Sequence, residues 1–193
     1  MSDPQQPIPL GYSYAATEVR TIAAPLYTAA ALSLAGVVAA ASKDTFRWPG
    51  ATLLLLVATS LMLVASLQLH YYARQYLYSR ADIDAWFPHG VSKQTEIYKK
   101  LCIWQGNDYK KWAKFNNSGI HFFNLGTVLL GFGVALALIP PDGGRQESWR
   151  WAAAILVLVC AVADLVWVLV QYRGSGKLQR ARRTELAKIP WKP

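Results

Sequence analysis

The sequence is poor in the side chains that most metal sites, disulfide frameworks and catalytic centres use. Its 193 residues include 2 cysteines and 3 histidines, and these do not fall at the close spacings of a metal-ligand motif. The phosphate-binding loop of nucleotide hydrolases, the GxSxG elbow and the HExxH pair are all missing from the sequence. We therefore predict that the chain is not an enzyme and uses no metal and no cofactor.

Charge is also scarce, and it is unbalanced. Charged residues make up 16% of the chain, with 20 lysines and arginines against 11 acidic residues, for a net charge of +9. A basic chain can bind nucleic acid, but here the basic residues flank long apolar runs, so anionic lipid headgroups are the simpler counter-charge. We expect contact with an anionic bilayer surface and no nucleic-acid binding.

Hydrophobic residues are abundant instead, and they are collected into four runs. The runs cover about 21–41, 51–72, 119–139 and 150–171. Each is about 20 residues long, enough to cross the ~30 Å hydrocarbon core as a helix, and each is apolar on all sides, unlike a helix of a soluble bundle. The runs predict an all-α membrane protein, a single integral membrane domain over residues 1–193 with four transmembrane helices in two hairpins forming a bundle.

The basic residues are divided unequally between the two ends of the runs. Sixteen of the 20 precede the first run, lie between the second and third, or follow the fourth, whereas Lys43, Arg47, Arg145 and Arg150 lie in or directly beside the two short links. The positive-inside rule then places both termini in the cytoplasm, of a protein in the cell membrane. The cytoplasmic parts would be a helical segment at about 73–118 and a basic tail at 173–193.

A few polar residues interrupt the runs, and Asp164 is the one acidic residue inside any of them. A charged Asp near the bilayer centre costs about 2.5–3.5 kcal/mol on insertion scales. Two interpretations follow: the carboxyl locks helices or an oligomer together by bonding Asn124 or a nearby hydroxyl, or it forms a proton or ion site. The candidate intramembrane polar site at the inner half comprises Asp164, Asn124, His121, His70, Gln68 and Gln171.

Small residues recur at a spacing of two helical turns. They are Gly119, Gly126 and Gly133 in the third run, and Ala154 and Ala161 in the fourth. Such a stripe lies along one side of a helix and lets another backbone approach closely inside a membrane. We expect these residues to pack helices tightly, either within the chain or between the copies of a homo-oligomer.

The middle segment mixes aromatic and basic residues. Ile97, Leu101 and Trp104 recur at helical spacing, which predicts a helix that opens at Ser92 and ends at Gly106–Asn107. Such a helix could lie in the headgroup layer, or it could be a docking surface for a cytoplasmic protein. The candidate surface comprises Trp86, Ile97, Leu101, Trp104, Lys110, Lys111, Trp112 and Lys114, with Arg180, Arg182 and Arg183 of the tail.

Taken together, these features favour a non-enzymatic membrane protein, an oligomeric scaffold, anchor or membrane effector that engages a cytoplasmic partner. The alternative is a small transporter or channel that uses a polar site centred on Asp164. A third interpretation is a lipid-modifying enzyme with a basic phosphate site at the inner interface, using groups such as Arg74, Arg80 and His121.

Overall fold

The computed structural model describes residues 17–42, 45–78, 80–86, 96–143 and 146–187, and all regular structure within those ranges is helical. The helices are α1 (Ala24–Ala40), α2 (Pro49–Arg74), α3 (Arg80–Trp86), α4 (Glu96–Leu138) and α5 (Glu147–Ala187), and a π-helical turn (Val19–Ala23) leads into α1. Helices α2, α4 and α5, and α1 together with the end of the π-helical turn (Thr21–Ala40), are long and apolar enough to cross a membrane. The prediction of an all-α chain with four such helices is therefore confirmed.

The helix ends follow local chemistry. Pro49 lies in the first turn of α2, where the missing N–H costs no helical hydrogen bond. Pro25 directly follows the π-helical turn and therefore lies inside a continuous helix. The link between α4 and α5 begins at Pro140–Pro141, and Gly143 in that link takes the positive φ of 72° that glycine adopts without strain. The chain therefore reverses direction at two short links, 41–48 and 139–146. Both links lie at the same end of the helices, which we call the link end.

Helix α4 differs most from the sequence prediction. One uninterrupted helix of 43 residues replaces the predicted middle helix and the third apolar helix, so the predicted helix end at Gly106–Asn107 is wrong. Ser92, the predicted start, lies outside the described residues. A glycine inside a helix costs only about 1 kcal/mol. Burial of Tyr98 and Trp112, on either side of the glycine, offsets that cost.

The length of α4 has a direct consequence. At 1.5 Å per residue it measures about 65 Å, roughly twice the ~30 Å of a hydrocarbon core. Its second half contains the predicted apolar run at 119–139, and its first half, residues 96–118, is referred to below as the α4 extension. Helix α5 is similar, with 41 residues, so the described part of the basic tail continues the fourth apolar helix.

The most extensive contact in the molecule joins α2 and α4 in antiparallel orientation. Three large α2 side chains, spaced by seven residues, each lie over one glycine of α4: Leu56 over Gly133, Leu63 over Gly126 and His70 over Gly119. A Cβ atom added at these glycines would lie 3.0, 2.9 and 2.7 Å from the facing side chain. The three glycines therefore let the α4 backbone lie directly against the widest side chains of α2.

Small residues of α2 complete this interface. Thr52, Thr59, Ser66 and Ala73 alternate with the three large side chains, and all are at most 1% exposed. The combined steps of four and three residues are those of left-handed antiparallel helix packing. Helix α2 thus meets α4 along its whole length.

The remaining helices flank this pair. Helix α1 packs mainly on α2 and touches α4, whereas the extensive contact of α5 in the described structure is with α4. On that side a Cβ at Gly131 would lie 2.7 Å from the Cβ of Ala161, and Ala154 and Ala161 are both buried. The spatial order is therefore α1, α2, α4, α5.

Arginine side chains fasten the link end. Arg47 pairs with Asp142 across the two links at 3.3 Å. Arg150 donates from Nε to the carbonyl of Leu138 at 3.3 Å and from Nη2 to the carbonyl of Thr45 at 3.4 Å. A guanidinium at the C-terminal carbonyls of α4 also opposes the negative end of the helix dipole.

Candidate functional site

The structure separates the predicted polar residues into two helix interfaces. His70 lies between α2 and α4 against Gly119, and Asp164 lies between α4 and α5 beside Thr127. Gly119 and Thr127 are about 12 Å apart along the α4 axis and point about 80° apart around it. The imidazole of His70 and the carboxyl of Asp164 therefore do not form one site.

The α4–α5 interface carries a row of polar groups, which we call the polar seam: His121, Asn124 and Thr127 of α4 with Asp164 and Tyr172 of α5. Thr127 Oγ1 lies 3.4 Å from Asp164 Oδ2. Asn124 Nδ2 donates to the phenolic oxygen of Tyr172 at 3.3 Å. The ring of His121 lies 4.5 Å from the ring of Tyr172, centroid to centroid. The seam thus runs from Asp164 towards the end of the helices opposite the links.

The hydrogen bonds around Asp164 are weak. Thr127 Oγ1 also lies 2.9 Å from the carbonyl oxygen of Asn124, and a hydroxyl has one hydrogen to donate. The shorter contact is the better hydrogen bond, and 3.4 Å is near the limit of a useful one. The contact with Thr127 is therefore modest compensation for a carboxylate in an apolar helix.

The other predicted members of the site lie elsewhere. Gln171 is exposed, and Gln68 is exposed in a shallow recess beside Tyr71 and Tyr72. No cluster of three or more potential metal-ligating side chains occurs in the described ranges. The structure thus brings Asp164, Asn124 and His121 into one seam and leaves His70, Gln68 and Gln171 outside it.

Sequence reasoning missed Thr127 and Tyr172, the two residues that connect the seam. Thr127 follows Asn124 by one helical turn, and Tyr172 follows Asp164 by about two turns. A search for hydroxyls within one or two turns of each predicted polar residue would have found both. Tyr172 resembles an ordinary interface aromatic in the sequence, so its role depends on the pairing of α4 with α5.

His70 serves the packing of α2 on α4. Its Nδ1 lies 2.8 Å from the carbonyl oxygen of Ser66, and Ser66 Oγ donates to the carbonyl of Gly119 at 2.8 Å. The histidine is only 2% exposed, which leaves it no access to solvent or substrate. Ser66 and His70 together fasten the two helices at the point where α2 approaches its end.

The α4 extension is held by the residues that follow α2. Tyr76 stacks on Phe115 with centroids 5.9 Å apart, and Lys111 Nζ lies 5.1 Å from the centre of the Tyr76 ring. Tyr78 donates a hydrogen bond to Asp108 at 3.3 Å. The chain after α2 therefore continues along the extension, away from the links, and connects it to the apolar helices.

Burial raises the pKa of the Tyr78 phenol, and the nearby Asp108 carboxylate raises it further, both by its charge and by accepting the hydrogen bond. Both causes favour the neutral phenol. Tyr78 therefore keeps its hydroxyl hydrogen, and with it the bond to Asp108, throughout the neutral pH range.

One side of the extension is buried and the rest carries exposed apolar groups. Trp112 is 6% exposed and lies on the buried stripe with Tyr98 and Gln105, so it does not belong to the candidate docking surface. Ile97, Ile103 and Trp104 are 54%, 64% and 59% exposed. Exposed large hydrophobic groups in one region outside the apolar spans are characteristic of an interaction surface.

The other members of the predicted docking surface divide as follows. Trp86 is exposed and contacts the Tyr78 ring, whereas Leu101 is half-buried. Lys110 and Lys114 are exposed, and Lys111 is shared between Asp108 and the Tyr76 ring. The side chains of Arg180, Arg182 and Arg183 lie outside what the structure describes, although their backbone belongs to α5.

No family model, curated protein or solved structure matches the chain. A functional assignment therefore rests on two features of the described structure, the polar seam and the exposed apolar surface of the α4 extension.

Proposed function

We propose that this chain is a non-enzymatic multi-pass protein of the cell membrane, an oligomeric scaffold, anchor or membrane effector that engages a cytoplasmic partner. In this proposal α1, α2, α4 and α5 form a transmembrane bundle with both termini and the α4 extension in the cytoplasm. The charge distribution supports this orientation, because only four basic residues lie in or directly beside the two links.

The observation that carries the proposal is the continuity of α4. Residues 96–118 add about 35 Å of helix to the apolar half, with helical hydrogen bonding throughout. An uninterrupted helix points the extension away from the bilayer, so the continuity favours a docking surface over a helix lying in the headgroup layer. Ile97, Ile103 and Trp104 then face the cytoplasm, where large exposed apolar groups are unfavourable unless a partner covers them.

Charge indicates the chemistry of that partner. Lys99, Lys100, Lys110 and Lys114 of the extension are exposed, and among the residues that the structure describes Lys99 is the one of these with an acidic neighbour, Glu96 at 2.6 Å. A helix with apolar anchors among lysines suits a partner that offers an apolar groove with an acidic rim, the helix-in-groove mode of recognition. The partner is therefore proposed to be an acidic cytoplasmic protein.

Helix α1 supports the oligomeric part of the proposal. Ala29, Ser33, Gly36 and Ala40 are all exposed, and a Cβ at Gly36 would meet no atom within 4 Å. In a membrane, such a stripe of small residues favours close helix contacts between chains. Gly36→Leu should shift cross-linked dimers to monomers without lowering thermal stability, whereas an unchanged dimer fraction would remove this support.

The partner proposal is tested by photo-cross-linking in intact cells. A photoreactive phenylalanine analogue replaces Trp104, and the matched control replaces Trp149, which is 78% exposed at the link end. We expect a discrete adduct with another protein from position 104 and none from 149, and Ile103→Asp should abolish it. Adducts with lipid alone, or equal protein adducts from both positions, would contradict the proposal.

A second candidate function is a small transporter or channel built on the polar seam. The row of groups from Asp164 to His121 supports it, whereas the wholly apolar lining of the cavity between α4 and α5 does not. Asp164→Asn keeps the size of the side chain and removes its ability to ionise. Lost conductance or transport in reconstituted vesicles with unchanged oligomer size would favour this function, and a change of oligomer size alone would favour the scaffold.

A further inference from the structure

A groove opens between α4 and α5 in the half of the molecule nearest the link end. Its volume is about 330 Å³ and every residue that lines it is apolar. Leu129 and Ile139 mark its two ends on α4, Trp151 and Leu158 line it on α5, and Leu55 of α2 also contributes. The groove exists because α5 packs on α4 and leaves α2 uncovered beside it, with the small side chain of Ala154 at the contact.

The dimensions of the groove indicate its occupant. The helix from Leu129 to Ile139 rises about 15 Å, half of a ~30 Å hydrocarbon core and therefore the thickness of one leaflet. A cavity of about 150 Å³ holds one benzene molecule, so twice that volume holds on the order of a dozen carbon atoms. A volume of about 330 Å³ spread over about 15 Å corresponds to a mean cross-section of about 22 Å². That is much narrower than a second helix, about 10 Å across, whereas a single acyl chain matches the length and volume.

The link end of the groove adds a charge. Arg150 directly precedes Trp151, and its bonds to the carbonyls of Leu138 and Thr45 hold its guanidinium in place. Those bonds use Nε and Nη2, and the Nη1 donors make no hydrogen bond within the described chain. A fixed guanidinium with free donors is suited to a phosphate. Trp149 and Trp151 sit at the same level, as aromatic residues do at a membrane interface.

We propose that this groove binds one phospholipid of the leaflet next to the links, with an acyl chain between α4 and α5 and the phosphate at Arg150. The proposal rests on the membrane placement given under the proposed function and is independent of the cytoplasmic partner. The acyl chain would replace the contacts that α5 does not make with α2, so the lipid acts as part of the bundle.

A photoactivatable phosphatidylglycerol with a diazirine in its acyl chain tests the proposal on the full-length protein in lipid nanodiscs. Adducts should concentrate on the peptides that contain 129–139 and 151–158. Leu158→Trp should lower labelling about tenfold, because the added ring occupies the groove. The matched control is Leu156→Trp, at a residue that is 65% exposed and does not line the groove, and it should label like the wild type.

The phosphate contact has its own variant. Arg150→Gln should weaken labelling by the phospholipid but leave labelling by a diazirine diacylglycerol, which has no phosphate, unchanged. Arg150→Lys, which keeps the charge, should restore part of the phospholipid labelling. A drop with both probes would mean that the arginine only supports the fold, and the phosphate assignment would then be wrong.

The outcomes separate this inference from the proposed function. Equal labelling of the Leu158→Trp and Leu156→Trp variants, or adducts spread evenly over α5, would overturn the groove as a lipid site. Failure of the cross-link at position 104 with the groove labelling intact would remove only the cytoplasmic partner. An absence of adducts on every apolar helix would overturn the membrane placement and the lipid site together.

Discussion

The two faces of α4 contrast sharply. Its glycine face lies against α2 over the full length of that helix, with Leu56 and Leu63 completely buried. Its other face meets α5 closely at Gly131 and Ala161, and beyond that contact lie an open apolar groove and the polar seam. Only 11% of the apolar window of α5 is buried, against 33% for α2. The tight packing therefore lies on the face of α4 that meets α2, whereas the groove and the polar seam lie on the face that meets α5.

The largest expected effect is at the glycine face. Gly126→Leu places side-chain atoms where Leu63 already lies, since even a Cβ would be 2.9 Å away. We expect the free energy of unfolding to fall by about 3 kcal/mol, or the protein to fail to fold, because the backbones of α2 and α4 cannot move apart without breaking the adjacent contacts. Thermal unfolding in detergent measures the change. Gly106→Leu is the control, with no atom within 4 Å of its Cβ, and equal stability of the two variants would remove the distinction between the faces.

A smaller loss is expected for the same change on the opposite face. At Gly131 a Cβ would lie 2.7 Å from Ala161, which is as close a contact as at Gly126. Since α5 packs mainly on α4, it can shift outward, so Gly131→Leu should cost about 1–2 kcal/mol. Disulfide cross-linking between cysteines placed in α4 and α5 would detect the shift. A loss as large as that of Gly126→Leu would show that α5 is held as firmly as α2.

Removal of a hydrogen bond should also lower the free energy of unfolding more in the α2–α4 interface than in the α4–α5 interface. Both losses should be smaller than those of the glycine variants. Ser66→Ala removes a 2.8 Å bond to the Gly119 carbonyl inside the α2–α4 interface and should cost about 1 kcal/mol. Thr127→Val removes the 3.4 Å contact to Asp164 and should cost about 0.5 kcal/mol, near the average for bonds between membrane helices. Chemical denaturation in mixed micelles compares the two variants. A greater loss from Thr127→Val would indicate that the polar seam stabilises the fold.

The smallest expected effect concerns pH. Burial and Asp108 raise the pKa of Tyr78 in the folded chain, so its neutral form contributes stability that is complete below the ordinary phenol value of about 10 and is lost as the pH rises through the folded pKa. Wild-type stability should therefore fall more steeply than that of Tyr78→Phe above about pH 10. Unfolding temperatures at a series of alkaline pH values measure the difference. Parallel curves for the two proteins would show that the pKa of Tyr78 is not raised in the folded chain.

Some of these features were predictable from the sequence because they depend on local composition. Apolar runs of sufficient length specify helices regardless of their neighbours, and Pro49 marks the start of α2. Continuity through Gly106 was not predictable, because the penalty for an internal glycine is small and burial of the flanking stripe outweighs it. Burial of Trp112 was not predictable either, because it depends on residues that are distant in the sequence.

The candidate site shows the same division. The sequence identified Asp164 as unusual, since one acidic residue in four apolar runs is a local observation. It grouped His70 with Asp164 because both fall at a similar depth, and depth was the only coordinate available before the helices were packed. The pairing of α2 with one face of α4 and of α5 with another separates the two residues.

Composition and spacing by themselves determined that the chain is helical, that four of its helices are apolar enough for a membrane, and that glycines and alanines recur every two turns. These are properties of single segments, and they follow from transfer free energies and the helical repeat. Only the tertiary structure decided that the α4 glycines receive Leu56, Leu63 and His70, that Asp164 meets Thr127, and that a groove of one leaflet's length remains beside α5. Each of these depends on the register and rotation of one helix against another. The volumes of the side chains in contact determine that register and rotation.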